Sequence, residues 1–321
     1  MRKGSLQSIF TFGYLTLLSR VLGLVRDVVV GIVFGPSAAT DAFFIAFKIP
    51  NFMRRLFAEG AFSQAFVPVL SEYRAQRSHA QIRQLVARTI SMLGVTLTLV
   101  TVLGMLGAPW VITVFAPGFT DDPERFRLAV EMLRLTFPYL ALISLTACAG
   151  AVLNTYGSFG PPAFAPVLLN LAMIAAALWL APRLEQGILA LAVAVTVAGL
   201  LQLLLQLPFV AQRGLLGFAR PSWSDPGVRR ILRLMGPTLF GTSVQQVNLL
   251  VDTILASFLV TGSISWLYWS DRLVEFPLGV FGVALGTVIL PRLSQEHAGE
   301  SAESFSHTLD WALRLVLILI L

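Results

Sequence analysis

Apolar runs long enough to cross a bilayer recur along the whole chain, at roughly 8–34, 39–70, 86–108, 128–153, 161–181, 187–210, 233–259, 263–291 and 307–321. A hydrocarbon core of about 30 Å needs about 20 apolar residues of α-helix. Lipid offers the backbone no hydrogen bonds, so only helices and closed barrels span it. A barrel would show alternating segments of about 10 residues, and none dominates here. The chain is 56% hydrophobic and 12% charged, against about 25% charged in soluble domains. It reads as an all-α polytopic membrane protein. The ninth run starts near His307 and ends at Leu321; at about 1.5 Å per residue it is too short to span. The expectation is a chain that stops inside a helix, with a larger membrane domain incomplete.

Charge sets the orientation. With the N-terminus in the cytoplasm, twelve Lys and Arg fall in inside segments, against Arg125, Arg127 and Arg183 outside. That bias follows the positive-inside rule. The net charge of +6 is therefore a topology signal and not a nucleic-acid footprint. Met1-Arg2-Lys3 opens a retained first helix, because Gln7, Ser8, Thr11 and Gly13 interrupt the apolar run and no small-residue cleavage site follows. The single Cys148 lies inside an apolar run and reads as a small buried hydrophobe.

Several landmarks organise the chain. Gly35-Pro36-Ser37 joins the first two segments, with Ser37 or Thr40 as the cap of the second helix. Pro50 should kink that helix. Pro117-Gly118 between Phe115 and Phe119 is an outside turn with interfacial aromatics. Residues 213–232 are basic, contain Pro221, Trp223 and Pro226, and read as a cytoplasmic linker on the anionic inner leaflet. It divides residues 1–212, with six spans, from 233–321, with the next three. Pro68-Val69-Leu70-Ser71-Glu72 and Pro291-Arg292-Leu293-Ser294-Gln295 close the second and eighth segments. Six segments separate them, which gives two halves of the same orientation, related by an axis along the membrane normal.

The charges inside the spans carry the functional signal. The first two segments hold Arg20, Arg26, Lys48, Arg54 and Arg55 against Asp27, Asp41 and Glu59; the seventh and eighth hold Arg272 against Asp252, Asp271 and Glu275. A charge at mid-bilayer costs about 2.5–3.5 kcal/mol on insertion scales. Arg20 and Asp27 share a helix face, Lys48, Asn51, Arg55 and Glu59 form one stripe, and Arg55 can pair with Glu59. Two readings stand. The opposite excesses neutralise each other as an ion-pair network between the halves, or the arginines serve an anionic ligand. Buried ion pairs are poor stabilisers, and arginine suits bidentate recognition of phosphate oxygens. His79, His297 and His307 make no metal motif, and neither a phosphate loop nor catalytic triad spacing is present.

Four stretches then resemble a known family: Ser19-Arg20-Val21-Leu22-Gly23, Thr40-Asp41-Ala42-Phe43-Phe44, Pro50-Asn51-Phe52-Met53-Arg54-Arg55-Leu56-Phe57-Ala58-Glu59-Gly60-Ala61-Phe62 and Ser270-Asp271-Arg272-Leu273-Val274-Glu275-Phe276-Pro277. They are similar to the MurJ (MviN) family, lipid II flippases of the multidrug/oligosaccharidyl-lipid/polysaccharide exporter superfamily. The resemblance implies two six-helix lobes related by a pseudo-two-fold axis along the membrane normal, a V-shaped alternating-access transporter and two further helices. This chain would hold the first lobe and part of the second. It implies lipid II, the undecaprenyl-diphosphate-linked peptidoglycan precursor, as substrate, moved from the inner to the outer leaflet of the bacterial cytoplasmic membrane. Arg20, Arg26, Arg54 and Arg272 would bind the diphosphate. Asp41, with Arg55 and Glu59, would belong to the gates. Asp252 matches an acidic sodium-site position whose partner ligands would lie on helices absent from this chain.

The expected function is thus flipping of a lipid-linked diphosphate, without enzymatic chemistry and without a cofactor beyond monovalent-cation (Na+) coupling. Expected partners are lipid II, membrane lipids and the cell-wall synthesis machinery, and no nucleic acid. Rival readings are a flippase for another polyprenyl-linked glycan, a multidrug cation antiporter on the same fold, and a non-transporting scaffold.

Overall fold

The computed structural model describes residues 3–55 and 61–275, together with positions 306, 308–311 and 314, and side chains from Gly13 onward except at 240, 242–247 and 249. Among the described residues every regular element is helical. Four spans are long and apolar enough to cross a membrane by length and composition: His79–Leu106, Pro123–Thr155, Gly160–Arg183 and Leu189–Gln212. They correspond to the third through sixth apolar segments of the sequence.

The helix ends follow local chemistry. Helix α1 (Lys3–Phe34) stops at Gly35, whose φ of +59° is left-handed and suits a residue without Cβ. Ser37 caps α2 (Ala38–Met53), its hydroxyl accepting from the Thr40 N–H at 3.2 Å. Residues 54–55 continue in π-helical bonding. After α3 (Ser63–Gln76), Ser78 and Gln81 form a capping box that starts α4 (His79–Leu106). A short α5 (Ala108–Phe115) and a 3-10 turn (Pro117–Asp121) lead to α6 (Pro123–Thr136). That helix begins five residues before the apolar run read from the sequence. Asp122 caps it, with Pro123 at its first turn, so polar residues extend it beyond the hydrophobic pattern.

Pro138 separates α6 from α7 (Pro138–Thr155). Helix α8 (Gly160–Ala175) runs on through a π-helical turn to Arg183, and α9 (Leu189–Gln212) follows. Helix α10 (Pro226–Ser257) starts inside the stretch read as linker. The Asp225 carboxylate accepts from the Gly227 and Val228 N–H groups, so 226–232 are helical and the irregular connection is 213–225.

Residues 1–267 form one compact unit and 268–321 another. In the first, α1 packs on α8, α2 on α6, α7 on α9, α8 on α9, and α10 on α3. One core joins Phe62 and, in α3, Phe66, Val69 and Leu70 to Leu85 and Val86 of α4, Cys148 and Val152 of α7, Leu215 and Ile231. Cys148 is fully buried in it, where burial replaces reactivity. In the second unit the described positions are helical.

Pro50 shows how packing repairs a local defect. It lies inside α2 and has no N–H, which frees the Ala46 carbonyl one turn earlier. The Thr136 hydroxyl of α6 donates to that carbonyl at 2.9 Å. The Asn51 amide donates to the Phe47 carbonyl at 2.8 Å. The helix continues past Pro50 to Met53, and a neighbouring helix supplies the missing donor at the position where a kink is expected.

Candidate functional site

Asp41, one turn into α2, is fully buried. One carboxylate oxygen accepts from the Arg125 guanidinium of α6 at 2.7 Å and from the Gly262 N–H at 2.7 Å. The other accepts from the Ser265 N–H at 2.8 Å and the Ser265 hydroxyl at 2.6 Å. A new helix starts at residue 263. Asp41 therefore caps, from another part of the chain, the start of that helix, where free N–H groups and the helix dipole favour an anion. Gly262 turns with a φ of +96°, which a side chain would strain.

The same end carries two more ties. The Arg125 guanidinium lies 3.8 Å from the centre of the Phe119 ring, a cation–π contact. The Gly118 N–H donates to the Ser257 hydroxyl at 3.1 Å, and a Cβ on Gly118 would stand 2.2 Å from the Ser257 carbonyl oxygen. Gly118 is needed for close approach of the 117–121 turn to the end of α10. From the sequence, Arg125 is one of three outside basic residues and Gly118 lies in a turn between aromatics. The structure buries Arg125, since a buried carboxylate needs a cation close by. No local pattern signals Arg125, Gly262 or Ser265, which lie 84 or more residues from Asp41 in sequence.

The arginines of α1 divide. Arg26 is 4% exposed. Its guanidinium donates to the Asp27 carboxylate at 2.6 and 2.9 Å and to the Asn170 amide oxygen of α8 at 3.1 Å. Asn170 in turn donates to the Ser19 carbonyl at 2.9 Å, directly over Gly23, whose Cβ would be 3.7 Å away. Asp27 thus serves Arg26 and not Arg20, although it shares a face with Arg20. Arg20 is half-buried and makes no hydrogen bond or ion pair with the described residues.

On α2, the Lys48 ammonium donates to the Thr253 hydroxyl of α10 at 3.2 Å. The Arg54 Nε–H donates to the Asn51 amide oxygen at 3.3 Å, and Arg55 stands half-buried beside it in the π-helical turn. Such turns concentrate at functional sites. Glu59, the expected partner of Arg55, lies outside the described residues, as does the second copy of the internal repeat. In the second unit, Arg272 donates to the Glu275 carboxylate at 3.0 Å and the Tyr268 hydroxyl at 3.4 Å.

Asp252 is exposed on α10. No group of three or more His, Cys, Asp and Glu converges among the described residues.

Comparison with known proteins matches this architecture. A "Probable lipid II flippase MurJ" of Haemophilus influenzae is 53% identical over 318 residues, 95% of this chain and 62% of the relative. The "Lipid II flippase MurJ" of Burkholderia cenocepacia is 47% identical over 98% of this chain and 61% of its own length. The chain spans about three fifths of the length of these curated relatives. A solved "Lipid II flippase MurJ, inward closed conformation" superposes with a TM-score of 0.80 at 29% identity, over 96% of this chain and 62% of that one. The Vibrio cholerae MATE transporter VcmN superposes at 0.61 with 16% identity, over 98% of this chain and 70% of that one, a likeness of fold alone. The family model "Lipid II flippase MurJ" matches residues 30–321, and the chain belongs to that family.

Proposed function

We propose that this chain carries the gate and arginine-bearing part of a flippase that moves lipid II from the inner to the outer leaflet by alternating access. It sits in the bacterial cytoplasmic membrane with its N-terminus inside. Lipid II, the surrounding lipids and the cell-wall synthesis machinery are its partners. The observation that carries the reading is the Asp41 latch: one buried carboxylate ties α2 and α6 to the start of the next helix at the end assigned to the outside.

The physics of the latch suits a switch. Burying two charges costs several kcal/mol per ion, and the four donors to Asp41 offset most of it. Opening returns both the carboxylate and the helix start to water, where each is well solvated. A ligand that binds one of these two states better than the other moves the balance between them.

Arg20 supplies the complementary feature. An arginine at mid-span that pairs with none of the described residues is costly, and a diphosphate is the dianionic group that its planar fork matches. Arg54 and Arg55, in the irregular turn of α2, join it in this reading. Arg26, held by Asp27 and Asn170, ties α1 to α8. No step of this scheme is routed through a cation.

The test uses the full-length protein in vesicles containing lipid II. Arg20→Ala should abolish appearance of lipid II in the outer leaflet while melting within about 2 °C of wild type, as expected of a half-buried side chain with no hydrogen bond or ion pair among the described residues. Wild-type flipping by Arg20→Ala would overturn the proposal.

A further inference from the structure

A second cleft, remote from the Asp41 latch, opens at the other end of the unit between α3 and the end of α7. It is a shallow depression open to the surface, with a volume of about 460 Å³, and is lined by Val67, Ser71, Arg74, Ala75, Asn154 and Thr155. We infer that it is a binding site for the phosphate headgroup of an inner-leaflet phospholipid.

Arg74 is the argument's centre. Its guanidinium lies 4.6 Å from the centre of the Tyr156 ring, and one N–H donates to the Thr155 carbonyl. Stacking and that bond hold the plane of the fork before any ligand arrives. Among the described residues the remaining N–H groups of Arg74 make no hydrogen bond. Ser71 and Asn154 are exposed beside it, and their side chains also have no hydrogen-bond partner among the described residues. Three polar groups therefore present donors to one cleft, and no carboxylate lines it.

Depth and shape specify the ligand. Ser71 and Arg74 follow the apolar run of the second segment, and Asn154 ends that of the fourth, so the cleft falls at headgroup level on the side read as cytoplasmic. Val67 and Ala75 share the α3 face with Ser71. Donors beside apolar walls fit an amphiphile with a phosphodiester: the donors take the phosphate oxygens and the walls the glycerol and first acyl carbons. The surface of the inner leaflet supplies such anionic lipids. The site rests on the inside orientation of this end, but not on lipid II being the substrate.

The test is native mass spectrometry of the full-length detergent-purified protein with dioleoyl phosphatidylglycerol. Arg74→Gln should weaken binding about tenfold, and Ser71→Ala with Asn154→Ala should weaken it further. Arg20→Ala should bind the lipid as wild type does, which separates this site from the flipping reading. Equal binding of phosphatidylglycerol to wild type and Arg74→Gln would overturn the inference, as would equal binding of dioleoylglycerol, which lacks the phosphate. Displacement of the lipid by an equal concentration of glycerol 3-phosphate would also overturn it, because the headgroup alone would then account for the affinity.

Discussion

The Asp41 carboxylate and the Arg125 guanidinium meet at 2.7 Å with side chains 0% and 5% exposed. Removing either partner leaves an uncompensated buried charge, which costs about 3–5 kcal/mol. Asp41→Asn and Arg125→Gln should each lower the melting temperature. The double substitution should cost clearly less than the two added together, a coupling that a thermal double-mutant cycle reads directly. Strict additivity would mean that the pair is not a unit.

Gly118 tests the same end by sterics alone. A methyl group there would meet the Ser257 carbonyl oxygen at 2.2 Å, so backbone must shift. Gly118→Ala should destabilise the protein by about 1–3 kcal/mol and raise the reactivity of a cysteine placed at Ser265. The control is Gly94→Ala in α4, where a Cβ meets nothing within 4 Å and helix propensity predicts a gain of about 0.5–1 kcal/mol. Matching effects at the two positions would refute the close-approach argument.

Thr136→Val keeps shape and removes the donor to the Ala46 carbonyl that Pro50 has freed. A buried acceptor left unsatisfied costs about 1–3 kcal/mol. The loss should largely vanish in a Pro50→Ala background, where the helix supplies its own N–H. Urea or thermal unfolding of the four proteins decides the point.

At the opposite end, the Arg230 guanidinium ties α10 to the Glu72 carboxylate of α3 at 2.8 Å. The hydrogen bond from Arg230 holds the Glu72 carboxyl below its ordinary 4.5. A depressed carboxylate stabilises the fold above its unfolded pKa, and that contribution is lost as pH falls through the folded value. Acidification below about pH 4.5 should therefore erode stability in wild type more than in Arg230→Gln. Identical acid profiles in a thermal scan would show that the surface pair contributes nothing, as many exposed pairs do.

The sequence determined the class of this protein and the placing of most of its helices. Apolar run length is a property of the chain itself, and a bilayer admits few ways to satisfy the backbone. Asp41, Arg20 and Arg54 were legible as candidates for the same reason: a charge within an apolar run stands out before any fold is known. Asp41's partners were not legible. Arg125 stands in the first turn of a helix among other charged residues, and Gly262 in a turn and Ser265 in the first turn of the following helix lie more than 200 residues from Asp41. Only the tertiary structure brought them to one carboxylate, and only it showed that Asp27 serves Arg26 and leaves Arg20 without a hydrogen bond or ion pair among the described residues. Helical periodicity tells which residues share a face, whereas the packing of α1 on α8, and of α2 on α6, decides which neighbours that face will meet.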